Sequence, residues 1–173
     1  MFPKTTLILG GASSGKSSFA EKLVKSAGKP AVYVATAQAG DAEMADKIAR
    51  HRRSRGPDWD TLEMPMDVAG ALAGITKNTV VLLDCASMWL SNHMLAGSDL
   101  GLQETMLLTA LNDCASPVVI VSNEVGQGGV AGQALARKFG QAQGALNIAL
   151  AAQADLVVQV TAGLPVVLKG KLP

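Results

Sequence analysis

The eight residues Gly10-Gly11-Ala12-Ser13-Ser14-Gly15-Lys16-Ser17 fit the spacing G-x-x-x-x-G-K-[ST] without departure. Glycines let backbone N–H groups turn inward around phosphate oxygens, where a side chain would obstruct them. Lys16 brings a cation to the β- and γ-phosphates, and the Ser17 hydroxyl is a hard oxygen suited to Mg²⁺. The run follows a short aliphatic stretch, Thr5–Leu9, and precedes a helical pattern whose positive end adds to the site. ATP and GTP carry the triphosphate that such a loop binds.

A phosphate loop also needs a carboxylate at the end of another buried strand to hold the metal and its water shell. Asp84, after VVLL, meets that need, and Glu124, after VVIVSN, competes for it. Asp84 has a second use as the cap of the helix that follows. Arg50, Arg52, Arg53 and Arg55 cluster around His51, one of two histidines in the chain. By pattern alone that cluster is a solvated helix end with general affinity for phosphate. His93 follows Trp89 and Asn92 on a helical stretch and reads as a partly buried structural residue.

Alternating elements must position these groups. Strands are expected at Thr5–Leu9, Ala31–Ala35, Asp60–Met64, Thr79–Leu83 and Pro117–Ser122. Helices are expected at Ser17–Ser26, Ala42–Arg52, Asp67–Ile75, Met88–Met94, Leu102–Asn112 and Ala131–Ala152. The last of these shows a polar face at Arg137, Lys138, Gln141, Gln143 and Asn147. Leu156–Val160 and Pro165–Lys169 read as a late antiparallel pair around Gly163. The pattern predicts an α/β fold, a mostly parallel sheet flanked by helices on both faces. With 173 residues, the chain is expected to be a single domain over 1–173.

Composition narrows the partners. Hydrophobic residues make up 49% and charged residues 17%, which supports a packed core and argues against disorder. Aromatics are 3%, so that core is built from Ala, Val, Leu, Ile and Met. A formal charge of +1 provides no broad basic field for nucleic acid. Cys85 and Cys114 form neither a disulfide framework nor a zinc site, a usage that fits a reducing, cytoplasmic setting. Gly10 and Gly11 break the first apolar run before it could serve as a signal peptide, and no stretch is long enough to span a bilayer. Ser122-Asn123-Glu124-Val125 is not the Asn-Lys-x-Asp signature of a switch GTPase, and the length favours a small-molecule transferase over a motor.

Longer stretches carry a resemblance. GGASSGKSSFAE, VYVATAQAGDAEMADKIARHR, VLLDC, SNEVGQGGV and LARKFGQAQGALNIALAAQADLVVQVTAG occur in that order. Together they resemble the bifunctional adenosylcobinamide kinase / adenosylcobinamide-phosphate guanylyltransferases of cobalamin biosynthesis, over nearly the whole chain. The resemblance implies a RecA-like P-loop NTPase sheet, a homotrimer and a corrinoid substrate. It also implies two steps: phosphorylation of adenosylcobinamide from ATP or GTP, then GMP transfer from GTP through a guanylyl-histidine. The nucleophile falls on His51, beside Lys16 as the second catalytic residue. Nucleotide contacts fall on Ala35, Thr36 and Ala37, on Arg52, Arg53, Ser54 and Arg55, and on Glu63 and Asp84, in addition to the loop itself. The metal ligands fall on Ser17 and Asp84. Many relatives carry Glu at the position of Asp84, and two adjacent histidines where this chain has Arg50-His51, which leaves one candidate nucleophile. Two other readings stay open on the residues alone: a different small-molecule kinase that uses only the loop, and a nucleotide-binding regulatory subunit without turnover.

Overall fold

The computed structural model describes residues 1–38, 40, 42–56 and 58–173, without the side chains of Glu43, Met44, Lys47, Arg50, His51 and Ser54. The side chains of His51 and Ser54, both expected in the site, therefore lie outside the described residues.

The elements run β1 (Thr5–Gly10), α1 (Lys16–Ser26), β2 (Ala31–Ala35), α2 (Ala42–Arg55), β3 (Trp59–Glu63), α3 (Val68–Ala73) and β4 (Val80–Asp84). They continue with α4 (Ala86–Leu95), α5 (Leu100–Asp113), β5 (Val118–Asn123), α6 (Ala134–Gln153), β6 (Leu156–Thr161) and β7 (Leu164–Lys169). The seven strands form one sheet in the order β3-β2-β4-β5-β1-β6-β7. Every neighbouring pair is parallel except β6 and β7, which are antiparallel. The expected mostly parallel α/β sheet with a late antiparallel pair is thus the observed fold.

Strand alternation divides the core in two. Leu7, Val81, Leu83, Val118 and Ile120 pack on one face against Val68 and Leu72 of α3, Trp89 and Leu90 of α4, Leu107 and Leu111 of α5, and Leu146 and Leu150 of α6. Ile8, Tyr33, Val80, Leu82, Val119 and Val121 pack on the other against Ala20, Leu23 and Val24 of α1. Burial on both faces is why these strands read as continuous aliphatic runs and not as alternating ones. Each fully buried Leu or Ile contributes about 1.5–3 kcal/mol relative to exposure.

Three expectations are corrected. Helix α6 starts at Ala134 instead of Ala131, because the glycine-rich run before it disfavours helix and Arg137 Nη1 donates to the carbonyls of Ala131 (3.1 Å) and Gly132 (2.7 Å). Helix α2 runs past Arg52 to Arg55. On α6, Gln143 and Asn147 belong to the interior and not to a polar outer face. Ser122 Oγ donates to Asn147 Oδ1 (2.6 Å), and Gln143 Nε2 donates to both Ser122 Oγ (2.9 Å) and Asn147 Oδ1 (3.0 Å). Their polarity serves the end of β5.

His93 is buried as expected, with ring nitrogens 3.0 Å from Ser98 Oγ and 3.1 Å from the Met66 carbonyl. No described helix is long and apolar enough to cross a membrane.

Candidate nucleotide site

The loop between β1 and α1 has the backbone that phosphate binding requires. Ser13 and Gly15 have φ of 56° and 91°, so two peptide units turn through the left-handed region. Ser14 N–H donates to the Gly11 carbonyl at 3.3 Å and Phe19 N–H to the Gly15 carbonyl at 3.0 Å. At Gly10 a Cβ would lie 2.3 Å from Ser14 Oγ and 2.7 Å from the Val160 carbonyl oxygen, so no larger residue fits. At Gly11, by contrast, a Cβ would meet no protein atom within 4 Å. Lys16, at 8% exposure, reaches back across the loop, and its Nζ donates to the Gly11 carbonyl at 3.0 Å.

A contact that the sequence did not announce supports this loop from below. The tip of the β6–β7 hairpin turns at Ala162 (φ 52°) and Gly163 (φ 77°). Gly163 N–H donates to the Ser14 carbonyl at 2.8 Å. A Cβ on Gly15 would sit 3.1 Å from Gly163 Cα, so loop and hairpin approach through two glycines. The only available signal was Gly163 itself, read as a turn residue between strands.

Asp84 ends β4 on the face covered by α1. Its Oδ2 accepts a hydrogen bond from the Tyr33 hydroxyl at 3.1 Å. Tyr33 in turn carries the Arg55 guanidinium over its ring, 3.4 Å from the centroid. Arg55 Nη1 lies 4.0 Å from Glu21 Oε1, and both side chains are nine-tenths buried or more. The last turn of α2 is thereby tied to α1, β2 and β4 at once. Sequence reasoning missed Tyr33 and Glu21. The signal for Tyr33 was available, since it is the single tyrosine of the chain and interrupts an aliphatic strand.

Burial, with a smaller push from Asp84, holds the Tyr33 hydroxyl far above its ordinary range. The same two causes push the Cys85 thiol up to about 11, and Lys16 pulls weakly the other way. Cys85 and Cys114 are both buried free thiols.

Beside these groups a cavity of about 580 Å³ opens between α2 and the ends of β2, β3 and β4. Among the expected site residues, Ala35, Ala37, Arg52, Arg55, Glu63 and Asp84 line it together. Arg53 is exposed and does not line it. Thr36 is fully buried, and its hydroxyl both donates to the Cys85 carbonyl (2.7 Å) and accepts from Cys85 N–H (2.8 Å). That side chain joins the ends of β2 and β4 instead of facing the cavity. Glu124, the competing acid, accepts from Gly126 N–H through Oε1 and so closes its own turn.

Fold and loop together define the class, a phosphate-loop nucleotide-binding protein built on a mostly parallel sheet. The family described as cobinamide kinase / cobinamide phosphate guanyltransferase matches residues 6–168. The bifunctional adenosylcobalamin biosynthesis protein CobP of Pseudomonas aeruginosa is 40% identical over 168 residues, which cover 95% of this chain and 97% of the relative. CobU of Escherichia coli, with the same description, is 36% identical over 179 residues, which cover 94% of this chain and 98% of the relative. The chain belongs to this family of kinases and nucleotidyltransferases. A solved structure from Pyrococcus horikoshii OT3 aligns with a TM-score of 0.54 at 8% identity, over 96% of this chain and 86% of that one, a likeness of fold alone.

Proposed function

We propose that this chain phosphorylates adenosylcobinamide with ATP or GTP and then transfers GMP from GTP to the product through a guanylyl-histidine at His51. The observation that carries the proposal is the placement of α2. Its last turn is held by Glu21 and Tyr33 at the edge of a cavity of about 580 Å³ that Asp84 also lines. Arg52 and Arg55 provide cations for a triphosphate there, and the Glu63 carboxylate accepts hydrogen bonds of the kind that guanine N1–H and N2–H offer.

In the first step the bond between the β,γ-bridging oxygen and the γ-phosphorus breaks. A new bond forms from the aminopropanol hydroxyl of the corrinoid, whose proton leaves to solvent. Lys16 and the loop N–H groups hold the phosphate charge in place. In the second step a neutral His51 nitrogen bonds the α-phosphorus and pyrophosphate departs. The corrinoid phosphate oxygen then displaces the histidine and gives adenosylcobinamide-GDP. Ser17, in the first turn of α1, and Asp84, at the end of β4, are hard oxygen donors, a set that fits a cation otherwise ligated by phosphates and water. They would hold Mg²⁺, which when bound neutralises charge on the β- and γ-oxygens.

The decisive experiment incubates the protein with Mg²⁺ and GTP labelled at the α-phosphate. Acid-labile, base-stable protein label that chases onto adenosylcobinamide phosphate is the expected result. Bound GTP without label would reduce the chain to a kinase that uses only the loop, or to a regulatory subunit.

We further propose a cytoplasmic homotrimer. Its support is the β7 edge, where Leu164, Val166, Val167 and Leu168 are all exposed on an uncovered strand, together with two buried free thiols. Light scattering should give three times the chain mass of 17.8 kDa; a monomer at micromolar concentration would reject the assembly.

A further inference from the structure

Tyr33 is the single tyrosine of the chain, and packing alone does not account for its hydroxyl. At 7% exposure the residue sits in the core beneath α1, its ring edge-on to Trp59 with centroids 6.4 Å apart and the Arg55 guanidinium over its face. A phenylalanine would make each of these contacts. It would also avoid the cost of taking a phenolic oxygen out of water, which only a hydrogen bond inside the fold offsets. Among the described residues that bond is the one to Asp84 Oδ2 at 3.1 Å.

Sheet register makes the bond possible. Tyr33 pairs with Leu82, and Ala35 with Asp84, across the parallel ladder of β2 and β4. The phenol therefore reaches diagonally to a residue two positions further along the neighbouring strand. Tyr33, Val80 and Leu82 pack in the core beneath α1, and Asp84 continues the alternation of β4 on that same face. The backbone of Asp84 is held as well: its carbonyl accepts from Thr36 N–H at 3.2 Å, and the following Cys85 N–H donates to Thr36 Oγ1 at 2.8 Å.

Among the described residues the Tyr33 hydroxyl is the one donor to the Asp84 carboxylate, and it engages Oδ2 alone. Oδ1 is left without a protein partner, on a residue that lines the cavity beside the phosphate loop. A carboxylate held at one oxygen cannot rotate about its last torsion without losing that bond, so the other oxygen keeps a fixed direction. Partners of this kind set the orientation and basicity of a carboxylate that serves a metal, and their removal costs about 10–100-fold in metal affinity or activity.

We infer that Tyr33 is a positioning residue whose hydroxyl holds the Asp84 carboxylate in the orientation that receives the Mg²⁺ of the nucleotide complex or its water shell. The inference rests on the reading of Asp84 as a metal ligand. It gives the two ends of one side chain separate tasks: the ring seats Arg55, and the hydroxyl orients Asp84.

The affinity for ATP in saturating Mg²⁺, divided by the affinity in EDTA, is the gain that the metal adds to nucleotide binding. Calorimetry on the native chain, Tyr33→Phe, Asp84→Asn and the double variant measures it, and ATP keeps guanylylation of His51 out of the reading. Tyr33→Phe keeps the ring, so the gain is expected to fall about tenfold while affinity in EDTA stays within about twofold. In Asp84→Asn the gain should fall at least as far. Adding Tyr33→Phe to Asp84→Asn should then change nothing more, because the hydroxyl acts through the carboxylate. The ratio is read on folded protein, so a general loss of stability does not move it. An unchanged gain in Tyr33→Phe, or a second full loss on adding it to Asp84→Asn, would overturn this inference alone. A gain that Asp84→Asn leaves intact would overturn it together with the assignment of Asp84 to the metal.

Discussion

Lys16→Ala is expected to lower both phosphoryl and guanylyl transfer by about a thousandfold while shifting thermal unfolding by only a few degrees. The activity loss follows from charge. Both steps build negative charge on phosphate oxygens, and a single preorganised donor at such a site is worth about 10²–10³ in rate, more when it is a full cation. The small stability effect follows from burial. Lys16 is 8% exposed, so folding removes most of the water around its ammonium, and the bond to the Gly11 carbonyl offsets part of that cost. Removing the side chain removes both terms. A net change near 1 kcal/mol corresponds to roughly 2–4 °C in a domain of this size. The check is a pair of melts. Native protein should gain stability when Mg²⁺ and GTP are added, by mass action, and the variant should not. Lys16→Arg should not restore activity, because a planar fork does not replace a compact ammonium on a cradled phosphate. Full activity in Lys16→Ala would remove the loop from the chemistry altogether.

The second large effect belongs to His51. Its substitution by Asn is expected to abolish covalent label from α-labelled GTP and to reduce GMP transfer by at least about a thousandfold. Phosphorylation of adenosylcobinamide from ATP should continue, since that step uses no protein nucleophile. The separation of the two activities is the informative result. Arg50 precedes His51 and the chain's other histidine, His93, is buried, so no neighbouring imidazole is available to take over. Label that survived the substitution would keep the transferase and move its nucleophile elsewhere; loss of both activities with intact nucleotide binding would make His51 a group shared by both steps.

Much of this protein was legible in one dimension. The loop from Gly10 to Ser17 is a local object: glycines where the backbone must turn, then a cation and a hydroxyl at set offsets. Strands buried on both faces declared themselves as aliphatic runs, because a parallel sheet between helix layers has no solvent side. Asp84 was visible as an acid closing such a run. Helix starts were less legible. Helix α6 gave up its first three expected residues to a turn held by Arg137, whose carbonyl partners no periodicity identifies.

Tertiary structure decided which polar side chain meets which. Sheet order, not sequence distance, places Asn123 against Gly10 and Tyr33 against Asp84, 51 residues away. It turns Gln143 and Asn147, polar residues on a helical surface by pattern, into buried supports for Ser122. It commits the Thr36 hydroxyl to Cys85 and brings the hairpin glycine Gly163 under the phosphate loop. Arg55 shows the difference most plainly. In the sequence it is the last of a run of solvated arginines, and in the fold it is a buried cation between a carboxylate and an aromatic ring. Local patterns report the conformation of a segment, since backbone preferences act within a few residues. Pairing of charges and hydrogen bonds across elements depends on the order in which strands assemble, and that order arises only when the whole sheet closes its two cores.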